Sequence, residues 1–230
     1  MRRPYPLAEF TRYRIRAATR VEIVEPLFRR VLGARFDVLP PAVRAAHAVA
    51  HCVVLDGRAD VDGPESRLAA VAARLFGLPG AGRGLPVRVE IRRLRDGSEA
   101  WERAYPGATM RSRLVPGREP GTIEERFGPL AASLAVATDP DGLTVEVTAA
   151  RFLGLPLPRM LAPVSRAREG VDREGRFTFD VPIRIRLLGR LSHYRGWLVE
   201  PQGYRDLSRH EANPSCRTGG GGARNYPTGS

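Results

Sequence analysis

The sequence predicts an α+β fold: a curled antiparallel β-meander, a half or full barrel of about eight strands, with N-terminal helices packed on it. Two observations support this prediction. From Leu85 to Val199, alternating apolar and polar residues recur in short runs separated by Gly, Pro and Asp turns. Before Leu85, apolar residues recur at helical spacing. An open flat sheet of this length would leave its apolar face uncovered, so we expect it to curl.

The domain organisation follows from where these patterns begin and end. The chain has 230 residues, enough for one domain with flanking segments. We predict a basic N-terminal arm over 1–20, a single α+β domain over 21–200 and a disordered Gly-rich tail over 201–230.

Three helices are predicted from proline and glycine punctuation and from apolar spacing. They lie between Pro26 and Gly33, from Pro41 towards Ala50, and between Pro64 and Gly77. In the third helix, Leu68, Val71, Ala72 and Leu75 recur with the spacing of one helical face. We expect that apolar face to pack on the sheet.

The strands are predicted from alternation with a period of two. A first extended segment, 52–61, lies between the second and third helices, and the meander follows it at 87–91, 99–105, 109–115, 122–127, 131–138, 143–152, 176–187 and 189–200. The clearest strand is 176–187, in which Phe179 and Ile183 point to one side and Arg184 to the other. We expect the first two in the core.

The net charge of +12 raises the question of nucleic-acid binding. Every one of the 37 basic residues is arginine, alongside 24 glycines and 20 prolines, a composition typical of a GC-rich genome. The arginines are interspersed with acidic residues, and no basic stripe with interleaved aromatic residues occurs. The sequence therefore predicts no nucleic-acid partner.

Several other classes of function are not supported by any motif. No apolar segment is long enough to span a membrane, and no signal peptide follows Arg2, so we predict a cytoplasmic location. Cys52 and Cys216 lack a Cys or His partner at metal-ligand spacing, so we predict no metal. No G-x-G-x-x-G opens a βαβ unit, and we predict no cofactor.

Six short segments carry a family resemblance when they are taken together. They are Leu39–Arg44 with His47, Gly57–Val61, Leu75–Pro79, Glu125–Leu130, Gly154–Pro158 and His193–Leu198. In combination they resemble a bacterial domain family of unknown function, whose members occur alone or fused behind saccharopine-dehydrogenase-like reductase domains. The resemblance spans roughly residues 25–200. It implies a single domain and an oxidoreductase partner, and it assigns no catalytic residue.

The candidate ligand-binding residues are His193, Arg195, Trp197 and Glu125. The first three alternate on the last strand with Leu191 and Val199, so a period of two predicts that they line the concave face. There the indole would hold an apolar body, the guanidinium an acidic end, and the imidazole would titrate near neutral pH. A hydrogen-bonded His and a paired Arg remain the alternative. For Glu125, a salt-bridged strand end is the alternative.

Three functions are compatible with these predictions. The domain binds a hydrophobic or amphipathic small molecule on the concave face of the sheet. Alternatively, it is an enzyme or accessory subunit that acts with a separate reductase, or a protein–protein interaction domain. No catalytic residues are assigned.

Overall fold

Ten antiparallel strands close into a β-barrel in the computed structural model, which describes residues 25–201. The antiparallel meander and the N-terminal helices are confirmed, while the barrel has ten strands rather than about eight. The predicted arm over 1–20 and nearly all of the tail predicted over 201–230 lie outside the described residues.

Three helices and twelve strands make up the described part of the chain. The helices are α1 (Leu27–Leu32), α2 (Pro41–His47) and α3 (Arg67–Leu75), with a 3-10 turn at Gly33–Val38. The strands are β1 (Cys52–Asp62), β2 (Gly82–Arg93), β3 (Glu99–Tyr105), β4 (Ala108–Pro116), β5 (Thr122–Phe127), β6 (Leu130–Asp139), β7 (Gly142–Phe152), β8 (Leu155–Pro156), β9 (Pro163–Val164), β10 (Arg166–Val171), β11 (Phe177–Ile185) and β12 (Gly189–Val199). The short strands β8 and β9 lie outside the ring.

The barrel closes through β10, which pairs with β7 on one side and β11 on the other. The ring continues from β11 through β12 to β1 and then along the meander from β2 to β7. The sequence does not predict β10, because its inward residues are Ala167 and Glu169 rather than large apolar side chains. The strands predicted from the alternation of apolar and polar residues therefore form an incomplete ring that lacks β10.

The two ends of the barrel are built differently. The chain enters β1 from α1 and α2, which cover one end, here called the floor. Phe28, Val43 and Ala46 on these helices are buried and belong to the same apolar core as the barrel strands. The opposite end, here called the mouth, consists of the segments 63–81, 106–107, 128–129, 153–165 and 186–188.

Helix α3 lies at the mouth with the reverse of its predicted orientation. Ala69 and Ala73 are buried and pack with Ile185 and Leu191. The large residues of the predicted apolar face, Leu68, Val71 and Leu75, are exposed, so the prediction that they pack on the sheet is wrong, and Ala72 is the member of that face that packs against the strands. Alanine side chains let the helix approach the strands closely, and this contact uses the face opposite to the large apolar residues.

Strand β11 keeps the two faces that its alternation predicts. Phe179 is buried, Ile183 is half-buried against the core, and Arg184 is exposed. We expect Phe179→Ala to lower the free energy of unfolding by about 3 kcal/mol and Ile183→Ala by about 2 kcal/mol, because each removes buried methyl or ring atoms. Arg184→Ala should change it by less than about 0.5 kcal/mol. Urea denaturation measures all three, and an equal loss from Arg184→Ala would contradict the face assignment.

Candidate ligand site inside the barrel

The barrel encloses a cavity of about 310 Å³ that extends from the floor helices to the mouth. Its wall is mostly apolar and is contributed by strands all around the ring, for example by Leu55, Ile91, Leu134, Val147 and Phe179. Phe152 and Leu161 line the cavity and are also 41% and 42% exposed, so they mark where it opens at the mouth. A cavity of this size and lining suits a small apolar molecule.

A polar group lies on the inner wall halfway along the barrel. Arg103 on β3 donates to Glu125 on β5 at 3.3 Å and to the hydroxyl of Ser112 at 3.2 Å, and Ser112 donates to the same carboxylate at 2.7 Å. The guanidinium also lies over the Trp101 ring, 4.6 Å from its centroid. Burial acts to lower the pKa of Arg103, but Glu125 together with Tyr194, Tyr105 and Glu169 outweighs it, and the pKa is raised. Arg103 therefore stays protonated inside the wall, and the Glu125 carboxylate balances its charge.

Two tyrosines flank this polar group. The rings of Tyr105 and Tyr194 meet edge to face, with centroids 6.1 Å apart, and both side chains are buried. Burial raises the pKa of Tyr194 to about 12 and raises that of Tyr105 as well. Both hydroxyls therefore remain protonated at neutral pH and present only dipoles to the cavity.

The floor of the cavity holds a histidine that is only partly satisfied. His47, at the end of α2, has no exposed surface, and its Nε2 lies 2.5 Å from Oε2 of Glu169 on β10. Because a carboxylate accepts, we assign the proton of a neutral imidazole to Nε2. Nδ1 is buried without a hydrogen-bond partner. It is an unused acceptor in a residue that lines the cavity.

Aromatic rings hold His47 in this position. Its ring centroid lies 3.9 Å from that of Phe28, 5.8 Å from that of Trp101 and 6.3 Å from that of Phe177. These contacts come from the floor helix, from β3 and from β11, so they fix the imidazole from three sides. The unpartnered nitrogen is therefore a rigid feature of the site.

Glu99 is a second buried carboxylate near the floor. It has no exposed surface, and it accepts from Nε1 of Trp101 at 3.0 Å and from the backbone N–H of Leu27 at 3.3 Å. Burial raises the pKa of Glu99, although these two donors and the charge of Arg30 act to lower it. The carboxyl ties β3 to the start of α1.

The raised pKa of Glu99 gives a signed prediction for stability. Between the ordinary glutamate pKa of about 4.3 and the raised folded value, the native state retains a proton that the unfolded state has released. Stability from this group is present below that window and is lost as the pH rises through it. Glu99→Gln should therefore flatten the fall of unfolding free energy with pH, measured by urea denaturation at several pH values. Glu102→Gln, on the outer face of the same strand, is the matched control for the substitution itself.

The structure places His193, Arg195 and Trp197 on the outer wall of the barrel, so their predicted position on the concave face is wrong. His193 Nε2 lies 2.7 Å from Asp180, and Arg195 donates to Asp62 at 3.1 Å. Trp197 lies beneath the Arg176 guanidinium, 4.4 Å from ring centroid to Cζ. Arg195 and Trp197 border an open hollow on that outer wall.

The register explains why this face assignment is reversed. Phe177 and Phe179 of β11 point into the barrel, and their partners across the ladder are Leu198 and Gly196 of β12. Directly paired residues share a face, so the inward side of β12 contains Tyr194 and Leu198. A change of one residue in the assumed register exchanges the two faces completely.

Glu125 is the one candidate residue that lines the cavity. The residues that sequence reasoning did not select are Arg103, His47 and Glu169, which all line it too. These three residues are polar, and the sequence alone did not show which face of their helix or strand points inward. That face is defined only once the strands close into a ring. Within residues 25–201 no group of His, Cys, Asp and Glu side chains is arranged to hold a metal ion, and no helix in this range is long and apolar enough to cross a membrane.

Comparison with models of known protein families gives a match, and it spans the six short segments on which the family resemblance is based. The model of the domain of unknown function DUF4166 matches residues 39–198. The chain belongs to this family. The DUF4166 match begins just before α2 and ends in β12, so it includes the cavity-lining strands and both His47 and Glu169. No curated protein and no solved structure matches this DUF4166 chain.

Proposed function

We propose that this domain binds a small amphipathic molecule inside the barrel, with its apolar body against the strands and a neutral hydrogen-bond donor at His47. The observation that carries the proposal is the buried Nδ1 of His47, which has no partner although it lies in the wall of a largely apolar cavity. A buried acceptor without a partner is destabilising, and a hydroxyl or amide N–H of a ligand would satisfy it.

The charges of the wall favour a neutral ligand over an acidic one. The carboxyl groups of Glu125 and Glu169 line the cavity, whereas Arg103, the one arginine that lines it among residues 25–201, already pairs with Glu125. A ligand carboxylate would thus enter next to acidic groups without an unpaired cation to receive it. Arg195 on the outer wall is paired in the same way, with Asp62.

Displacement of a fluorescent apolar probe by straight-chain alcohols, alkanes and carboxylates tests the proposal. Each added methylene should strengthen alcohol binding about fourfold until the chain fills the cavity. The reason is that moving one methylene from water into an apolar environment contributes about 0.8 kcal/mol of binding free energy. The alcohol should bind more tightly than the carboxylate of equal length. Failure of the probe to bind, or affinity independent of chain length, would overturn the proposal.

Two matched histidine variants distinguish binding of the polar group inside the barrel from binding on its outer wall. His47→Phe should weaken the preference for an alcohol over the alkane of equal length by about five- to tenfold, the value of one hydrogen bond. His193→Phe, on the outer wall, should leave the preference unchanged. The opposite pattern would assign ligand binding to the outer face.

A second function, proton transfer on the bound molecule, is favoured by the His47–Glu169 pair. A carboxylate that holds one imidazole nitrogen leaves the other nitrogen available as a base. This reading accords with the oxidoreductase partner implied by the family resemblance, which remains a prediction, as does a cytoplasmic location. Incubating a ketone of the best-binding length in D₂O measures it by NMR: wild type should exchange the α-protons and His47→Phe should not. If the wild-type protein does not exchange these protons, the proton-transfer function is ruled out and only the binding function remains.

A further inference from the structure

The mouth of the barrel gathers exposed apolar side chains. Of the thirteen large hydrophobic residues that are exposed among residues 25–201, ten lie at this end. Seven of them, here called the apolar rim, are Leu75, Phe152, Leu153, Leu155, Met160, Leu161 and Leu187. Leu75, Leu153 and Leu155 are each more than 70% exposed, an unfavourable arrangement in water that usually marks an interaction surface.

The apolar rim surrounds the cavity opening rather than forming scattered contacts. Phe152 and Leu161 belong both to the rim and to the cavity lining. The backbone of Leu187 bonds to that of Met160, and Leu155 pairs with Phe152 across β7 and β8. Leu75 precedes Phe76, which lines the cavity. Four separate segments of the chain thus meet at one opening.

The same end of the molecule is basic, whereas the floor is balanced. The mouth segments contain four arginines and one glutamate, and the segments at the floor (25–51, 94–98, 117–121, 140–141, 172–176 and 200–201) contain eight arginines and eight acidic residues. Arg67, Arg74, Arg159 and Arg186 are exposed and make no ion pair within the described residues. Exposed Leu, Phe and Met beside unpaired cations match the chemistry of an anionic lipid surface.

We propose that the mouth end docks on an anionic phospholipid bilayer, with the apolar rim inserted among the lipids and the four arginines against their phosphates. The bilayer is preferred as occupant because it covers apolar and basic groups together, and because the cavity then opens directly into the hydrocarbon region. An apolar molecule would move between bilayer and barrel without crossing water. Only that transfer rests on the proposed ligand binding; the docking itself does not.

Flotation of the full chain with vesicles tests the docking. We use vesicles of phosphatidylcholine alone and of phosphatidylcholine mixed with phosphatidylglycerol. The protein should float with the anionic vesicles and much less with the neutral ones. Leu153→Asp with Leu155→Asp should abolish flotation, and Arg159→Gln with Arg186→Gln should weaken it about 25-fold, since each arginine near such a surface contributes about fivefold.

Matched changes at the floor provide the control. Val38→Asp removes an exposed apolar side chain there, and Arg35→Gln with Arg173→Gln removes two exposed arginines; all three should leave flotation unchanged. Equal loss from both ends would show that general positive charge binds the vesicles and would overturn the proposal. Flotation that survives the rim changes would overturn it too, as would a rim-dependent dimer without vesicle binding.

A cavity-filling variant separates this proposal from ligand binding. Ala132→Trp changes the interior and leaves the mouth surface intact. It should float with anionic vesicles like the wild-type protein. If the probe fails to bind any form of the protein and flotation still depends on the rim, docking stands while the proposed ligand function fails. Loss of flotation in a folded Ala132→Trp protein would contradict docking through the rim.

Discussion

Replacing Ala132 with tryptophan is expected to abolish binding of apolar molecules. Ala132 is buried, points into the cavity from β6 and is the smallest side chain type in its wall. An indole at this position would occupy the space that a ligand chain needs. Exclusion of four methylenes alone corresponds to about 3 kcal/mol, or a loss of affinity on the order of 100-fold. Titration with the fluorescent apolar probe measures this loss.

Ala137→Trp is the matched control, because Ala137 lies on the same strand and is exposed on the outer face. It should bind the probe as the wild-type protein does. Circular dichroism of both variants verifies the barrel, and Ala132→Phe provides a smaller filler should the indole disturb folding. Wild-type affinity in a folded Ala132→Trp protein would show that ligands bind elsewhere.

Gly196→Ala is expected to destabilise the barrel strongly although it adds only one methyl group. A Cβ at this position would lie 2.0 Å from the carbonyl oxygen of Arg58 on the neighbouring strand β1. The opposing contact is similar, since a Cβ on Gly57 would lie 1.9 Å from the carbonyl oxygen of Trp197. The obstacle is backbone in both cases, so β1 and β12 would have to separate. We expect a loss of about 3 kcal/mol or more in unfolding free energy.

Gly80→Ala controls for the general effect of adding a methyl group to glycine. Nothing lies within 4 Å of a Cβ at Gly80. Its unfolding free energy should remain within about 0.5 kcal/mol of the wild-type value, with any change arising from the unfolded chain. Similar urea midpoints for Gly196→Ala and Gly80→Ala would contradict the close approach of β1 and β12.

Most of the barrel could be predicted from the sequence because its strands alternate. The inward residues of β11, such as Phe179 and Ile183, are large and apolar, and their outward neighbours are polar. Strand β10 lacks that signal, since Ala167 and Glu169 occupy its inward positions. Strand β10 closes the barrel through its hydrogen-bonded pairing with the two neighbouring strands. This pairing is non-local, so it leaves no alternation of apolar and polar residues in the sequence of the strand itself.

The candidate site was less predictable, because each of its polar groups acquires a partner only through the fold. His47 and Glu169 are separated by 122 residues in the chain and meet when β10 closes the ring beneath α2. Strand β12 carries aromatic residues on both faces, so its alternation does not determine which face is inside. Pairing with β11 determines it, and places Tyr194 inside and Trp197 outside.

The two tryptophans provide the most direct test of an internal ligand site. Trp101 lines the cavity, Trp197 lies on the outer wall, and the chain contains no others. In a ¹⁵N NMR spectrum each indole N–H gives one signal, so a titration with the best-binding alcohol reports on both faces in one sample. Binding inside the barrel predicts that the Trp101 signal shifts with added alcohol while the Trp197 signal stays in place. A shift of Trp197 with Trp101 unmoved would contradict it.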